Sequence, residues 1–306
     1  MRVLIVTPPM MQLNSPYAAG PHLAGFLREH GVQAVQADLS LALALELFSR
    51  RGVEAIVRAI RKRRRRRRTA SVRHFMAQAS RYAGTVEDAV RFLQAGDPAL
   101  ARRIAARAFL PEGPRFAVLQ ESDSAAPLRR LLGAMSVADR AKYLASLYID
   151  DLADVIRDGG DARFELSKYG EKLALSAPSF GPIQRALEGA PTLVDRLLER
   201  LADERMAEHR PDLVAFTVPF PGNLYGALRL ARRIKDKHPS VPVAMGGGYV
   251  NTELRDLREP RLFDYVDFVT LDAGERPLLS LVERLQGRRP AGKLCRTFVR
   301  RRGRVV

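Results

Sequence analysis

PDLVAFTVPFPGNLYGALRLARRIKDKHPSVPVAMGGGYVNT, residues 211–252, decides the fold. Asp212–Val218, DLVAFTV, reads as a buried strand. Leu224–Lys237 follows with Leu228, Ala231 and Ile234 on one helical face, and Val241–Met245 is a second apolar run that ends in Gly246, Gly247 and Gly248. Continuous apolar strands joined through a helix are the pattern of a parallel sheet buried on both faces. Working outward, residues 254–262 read as a short helix or turn, Tyr265–Thr270 as another strand, and Arg276–Leu285 as a closing helix after LDAGE. At the other end of the chain, Val3–Thr7 is a strand closed by Pro8 and Pro9. The long loop PPMMQLNSPYAAGP leads to a helix over His22–His30, with Leu23, Phe26 and Leu27 together and Gly31 at its C-terminal cap. Val32–Ala37 is the next strand. Two strands cannot bury two faces alone, so residues 1–40 and 205–287 are expected to close one five-stranded sheet. The fold class is α/β, an open parallel Rossmann-like (flavodoxin-like) sheet with a large helical insertion.

That insertion is residues 41–204. Leu39–Ile60 is apolar, alanine-rich and helical in pattern, and an arginine run, Arg61–Arg68, follows it. Between 70 and 200 the sequence carries helical periodicity, as in VEDAVRFLQ, PALARRIAARAF, RAKYLASLYIDDLADVIRD and PTLVDRLLERLADERMAEH. Turns are marked at 96–98, 111–114, 158–161 and 176–182 by glycine and proline. Residues 288–306 are a basic tail or the start of an interdomain linker.

The chain has 306 residues, 46% of them hydrophobic, and a formal charge of +17. Arg61–Arg68 contributes eight positive charges and residues 288–304 another eight, neither with an acid among them, so the body is close to neutral. Such segments attract phosphate backbones or anionic surfaces. The plainer reading is a solvated helix extension, and confinement of the charge to two short segments argues against a nucleic-acid partner. No run is long and apolar enough for a transmembrane helix, which argues against a membrane partner, and the N-terminus reads as a strand, not a signal peptide. The single cysteine, Cys295, makes no internal disulfide and cannot hold an iron–sulfur cluster by itself. A cytoplasmic chain is expected.

Open parallel sheets bind ligands beyond the carboxyl ends of their strands. Those ends here carry the Thr7–Gly20 loop, then Thr217 with Pro219 to Asn223, then Gly246–Gly248 with Tyr249, Asn251 and Thr252, and finally Asp272 to Glu275. Small residues and hydroxyls beside two proline-stiffened loops form a broad, mostly apolar platform, and consecutive glycines admit a flat ligand close to the backbone. Each feature has a structural alternative. Gly246–Gly248 also reads as a tight turn, and it is not a dinucleotide fingerprint. Thr217 also reads as satisfying backbone, Glu275 as favouring the N-terminus of the last helix, and Asn251 as holding its turn. Asp38, after the second strand, is an isolated ribose candidate. The five histidines share no metal-ligand spacing, and no nucleophile or acid–base pair stands out. No catalytic and no metal-ligating residue is assigned.

At these strand ends the sequence resembles the cobalamin-binding domain of the B12-binding radical SAM proteins. The matching stretches are VLIVTPPMMQLNSPYAAGPHLAGFLREHG, RPDLVAFTVPFPGNLYGALRLARRIK, VPVAMGGGYVNTELRDLREPRLFDYVDFV and TLDAGERPLLSLVERLQG. FLQAGDPALARRIAARAFLPEGPRF and YLASLYIDDLADVIRDG are similar to the helical region of one subgroup. The resemblance implies a Rossmann-like cobalamin-binding domain that holds a corrin over its strand ends. The contacts it implies are Pro8, Pro9, Asn14 and Tyr17 in the first loop, Thr217 and Pro219, Gly246, Gly247, Gly248, Tyr249 and Asn251, and Asp272, Gly274 and Glu275.

Two departures qualify what it implies. The DxHxxG loop of classical cobalamin domains, whose histidine binds cobalt and which this subgroup commonly lacks, is replaced by TPPMMQLNSPYAAG, so no histidine ligand is expected from the first loop. The radical SAM domain, with its cysteine motif for a [4Fe–4S] cluster, does not follow in these 306 residues. The expected function is a cobalamin-binding module of a radical SAM system, a split, truncated or excised part whose catalytic domain is supplied in trans or missing. The alternatives are a cofactor-free interaction or scaffold module and nucleic-acid binding through Arg61–Arg68.

Overall fold

Six strands form the main sheet of the computed structural model, which describes residues 1–62, 68–119, 130, 132–175 and 179–306. They are β1 (Arg2–Thr7), β2 (Gln33–Asp38), β3 (Leu213–Thr217), β4 (Val243–Gly246), β5 (Phe268–Thr270) and β6 (Thr297–Phe298). Their order across the sheet is β2-β1-β3-β4-β5-β6. The first five are parallel, and β6 pairs with β5 antiparallel, with Val269 opposite Phe298 and Thr270 opposite Thr297. The chain is therefore α/β with a mostly parallel sheet, compatible with a Rossmann-like arrangement. Chain order reverses between β1 and β3, where Val3 lies opposite Leu213 and Val6 opposite Phe216. In open α/β sheets such a reversal opens a crevice at the carboxyl ends of the strands.

The apolar runs become fully covered strands. Every residue of β3 is buried, as are Val3 to Thr7 of β1. On one face Val3, Ile5, Ala34, Leu213, Ala215 and Ala244 pack with Ala24 and Leu27 of helix Ala19–Glu29 and with Leu278, Leu281 and Val282 of helix Glu275–Leu285. Burying such aliphatic side chains contributes roughly 1.5–3 kcal/mol each.

The chain divides into two compact units. One comprises Met1–Leu43, Leu166–Pro191 and Asp195–Val306, and the other Ala44–Glu165 and Thr192–Val194. The first is larger than residues 1–40 plus 205–287. Asp195, fully buried, accepts hydrogen bonds from Tyr169 (2.6 Å) and Tyr225 (3.1 Å), which ties residues near 169 and 195 to helix Pro221–Lys237. A buried carboxylate needs such donors, and they draw in segments that the helical periodicity assigned to the insertion.

The tail also departs from a linker. Gly287, at φ +76°, ends helix Glu275–Leu285, and Arg288 N–H donates back to Glu283 O at 2.8 Å, a Schellman-type stop. The reversed chain is then pinned by Cys295 N–H on the buried Ser280 hydroxyl (3.1 Å) and by Leu271 N–H on Arg296 O (2.9 Å). Beyond β6, Arg300–Arg301 and Arg304–Val305 close a small antiparallel hairpin.

The second unit is helical. The expected helix over Leu39–Ile60 is two, Leu39–Leu47 and Arg50–Lys62. Ser49 separates them, because its hydroxyl accepts Gly52 N–H at 3.0 Å and caps the second. Helices Ala70–Ala77, Ala79–Ala95, Pro98–Ala105 and Val137–Gly159 follow, with Thr69, Asp97 and Ser136 as N-caps. Phe75, Tyr82, Phe92 and Tyr148 form its aromatic core, and Tyr82 stacks on Tyr148 at 5.3 Å. Arg61–Arg68 and the turn at 176–182 lie partly outside the described residues. No described helix is long and apolar enough to cross a membrane.

Candidate functional site

A cavity of about 160 Å³ lies at the carboxyl ends of the parallel strands. Ile5, Ala215 and Ala244 of β1, β3 and β4 line it together with Leu278, and Tyr17, Thr217, Asn251 and Thr270 bring polar groups. Four chain segments far apart in sequence meet here because parallel register aligns their strand ends. Thr217 sits opposite Gly246, and Met245 opposite Val269.

Of the residues expected at a site, Tyr17, Thr217, Gly246, Gly247, Gly248, Asn251, Asp272 and Gly274 line this cavity. Pro8, Pro9, Asn14, Pro219, Tyr249 and Glu275 do not. Pro8 and Pro9 are buried, and the Asn223 amide donates to the carbonyls of Pro8 and Met10, both at 3.1 Å. Asn223 thus locks the first turn of the β1 loop, a role hidden from the sequence because its partners lie at the other end of the chain. Asn14 is exposed. Pro219 is buried under Gly248, where a Cβ would come within 2.8 Å of the Pro219 carbonyl. Tyr249 is buried, and burial pushes its phenol above the ordinary value.

The three glycines answer first to their own chain. A Cβ at Gly246 would lie 2.5 Å from Thr270 Oγ1, and one at Gly247, which has φ +111°, 2.6 Å from the Val218 carbonyl. Val218 N–H donates to Gly246 O (2.7 Å) and Tyr249 N–H to Val218 O (3.1 Å), so the turns after β3 and β4 are laced together through backbone. The close approach that demands glycine is that of the β3 turn and of β5, and this packing also lines the cavity.

The rim is organised by paired polar groups. Asn251 exchanges two hydrogen bonds with the backbone of Asp272, accepting its N–H (2.6 Å) and donating to its carbonyl (2.8 Å). This holds Asp272 at φ +62°. The Asp272 carboxylate accepts from Arg296 (2.7 Å) and Arg255 (3.2 Å), and the Arg296 guanidinium holds it below the usual carboxylate range. Across the opening, the His22 ring meets Glu275 at 2.8 Å, and that contact lowers the Glu275 pKa. His22 and Glu275 adjoin Leu23 and Gly274, which line the cavity. Asp38 accepts Leu41 N–H at 2.8 Å and so holds the start of helix Leu39–Leu47.

No family model, curated protein or solved structure matches this chain. Its chemistry must therefore be read from the cavity. Among the described residues no histidine lines it, and no group of His, Cys, Asp and Glu side chains is placed to hold a metal ion. Its one ionisable carboxylate, Asp272, is already held by two arginines, so the cavity offers small apolar surface, hydroxyls and amides to a ligand. Thr217 is buried to 3% exposure, and Leu13 and Phe220, on the loops after β1 and β3, are exposed to 44% and 57%.

Proposed function

We propose that this chain is a cobalamin-binding module of a radical SAM system. The observation that carries the reading is the cavity at the chain-order reversal, into which four separate strand-end segments bring small residues and neutral polar groups. The family resemblance supplies the ligand's identity. At about 160 Å³ the cavity fits one appended group of a corrin and not the macrocycle itself. Thr217, Asn251 and Tyr17 would hold that group, with Gly246–Gly248 and Ala273 leaving it room. Cobalamin supplies the reactive cobalt centre, and this chain's part is to bind and orient it and to exclude water. The loop after β1 carries no histidine before His22, so the bound form is expected without a histidine from that loop on cobalt.

Absorption titration of the purified chain with hydroxocobalamin tests this. A saturable spectral change without the features of histidine ligation is expected, and Ala273→Leu at the cavity rim is expected to weaken it at least tenfold. A folded protein that leaves the spectrum unchanged and retains no cobalamin on dialysis would end the proposal. One observation favours a second reading, a scaffold that keeps the fold without a ligand. The contacts of Gly246, Gly247 and Gly248 with Thr270, Val218 and Pro219 account for those glycines internally. The same titration separates the two.

A further inference from the structure

We infer that the helical unit carries a sequence-independent docking surface for the phosphate backbone of nucleic acid, built on Arg61, Lys62, Arg68 and Arg73. All four are exposed, and among the described residues none of them makes an ion pair with a carboxylate. The fold brings them together. Ile60, at the end of helix Arg50–Lys62, and Val72, at the start of helix Ala70–Ala77, converge on Gly159, where a Cβ would lie 2.8 Å from Ile60 Cγ1 and 3.5 Å from Val72 Cγ2. Arg61 and Arg73 are the chain neighbours of these two anchors, and Arg73 donates to the Arg68 carbonyl at 2.7 Å. Asp158 and Asp161, beside Gly159 in the chain, pair with Arg157 and Arg163.

The surface suits phosphate better than protein. Three of these four residues are arginine, whose planar fork binds phosphate oxygens in pairs. Val53, Ile56, Ile60, Val72 and Phe75 are buried, and no described residue between 50 and 80 is an exposed large hydrophobe. A protein interface needs apolar or aromatic anchors, and a membrane-surface helix needs apolar residues to insert. A phosphate backbone needs only positive charge.

Fluorescence anisotropy of the full chain with a random-sequence DNA duplex of about 20 bp, over about 50–200 mM salt, gives the slope of log K against log salt. Replacing Arg61, Lys62, Arg68 and Arg73 with glutamine is expected to reduce the magnitude of that slope by about three to four. R61Q/K62Q and R68Q/R73Q are each expected to give about half that shift, which serves if the quadruple variant fails to fold. An unchanged slope in folded variants overturns the inference. An equal shift from R301Q/R302Q/R304Q in the C-terminal hairpin overturns it as well, because binding would then follow overall charge. Tighter binding to polyglutamate or to anionic vesicles than to the duplex does the same.

Discussion

The two basic segments, Arg61–Arg68 and residues 288–304, are alike on paper, with eight positive charges each and no acid, yet their described residues meet different surroundings. The tail is drawn into the sheet unit. Arg289 pairs with Glu283 at 2.7 Å, Arg296 with Asp272 at 2.7 Å and Arg300 with Asp264 at 2.5 Å. Its backbone supplies β6. Arg61, Lys62, Arg68 and Arg73 face solvent without acidic partners among the described residues, while helices Arg50–Lys62 and Ala70–Ala77 meet through Ile60 and Val72 at Gly159. Charge count therefore says little about availability. What matters is whether the chain path brings acids within reach.

The comparison breaks first at Gly159. Gly159→Val forces a side chain against Ile60 and is expected to destabilise the helical unit by about 2 kcal/mol through overpacking. Urea unfolding reads the loss. Faster amide exchange over residues 50–62 and 70–77, with strands β1 and β3 unchanged, would locate it. On the tail side, Ser280→Ala removes the buried acceptor of Cys295 N–H and is expected to cost about 1 kcal/mol. Hydrogen exchange at Cys295 should rise, and an unchanged rate would mean that the tail is held by β6 alone.

The smallest effect sharpens the contrast by pH. Arg296 depresses the Asp272 pKa, so the folded tail gains stability above the ordinary carboxylate value of about 4 and loses it as pH falls through the lower, folded value. In Asp272→Asn that acid-side loss should disappear, read as a flatter dependence of tail amide exchange on acidification. This pair is exposed, so high salt should mimic the substitution in part.

Much of the fold could be read directly. The runs at 3–7, 213–217 and 243–245 are apolar enough to mark strands covered on both faces, and the helix between β3 and β4 follows from period alone. The candidate site was legible only to the level of the loop. Strand-end position and the family resemblance together nominated Tyr17, Thr217, Asn251 and Asp272, which line the cavity, equally with Asn14 and Glu275, which do not. Which way a loop residue faces depends on partners elsewhere in the chain. Asn223 is the clearest case, since nothing local signals that its amide holds Pro8 and Met10.

By itself the sequence determined the parallel α/β core, because long apolar runs separated by amphipathic helices have few other ways to leave water. It determined the total charge and the residue types available at each strand end. Only the tertiary structure decided that Gly246–Gly248 yield to Val218, Pro219 and Thr270, that Asp38 caps a helix, that the tail becomes a strand, and that Arg289, Arg296 and Arg300 of the tail find acidic partners. Those outcomes rest on contacts of a few ångströms between residues far apart in the chain, and local pattern carries no record of such pairings.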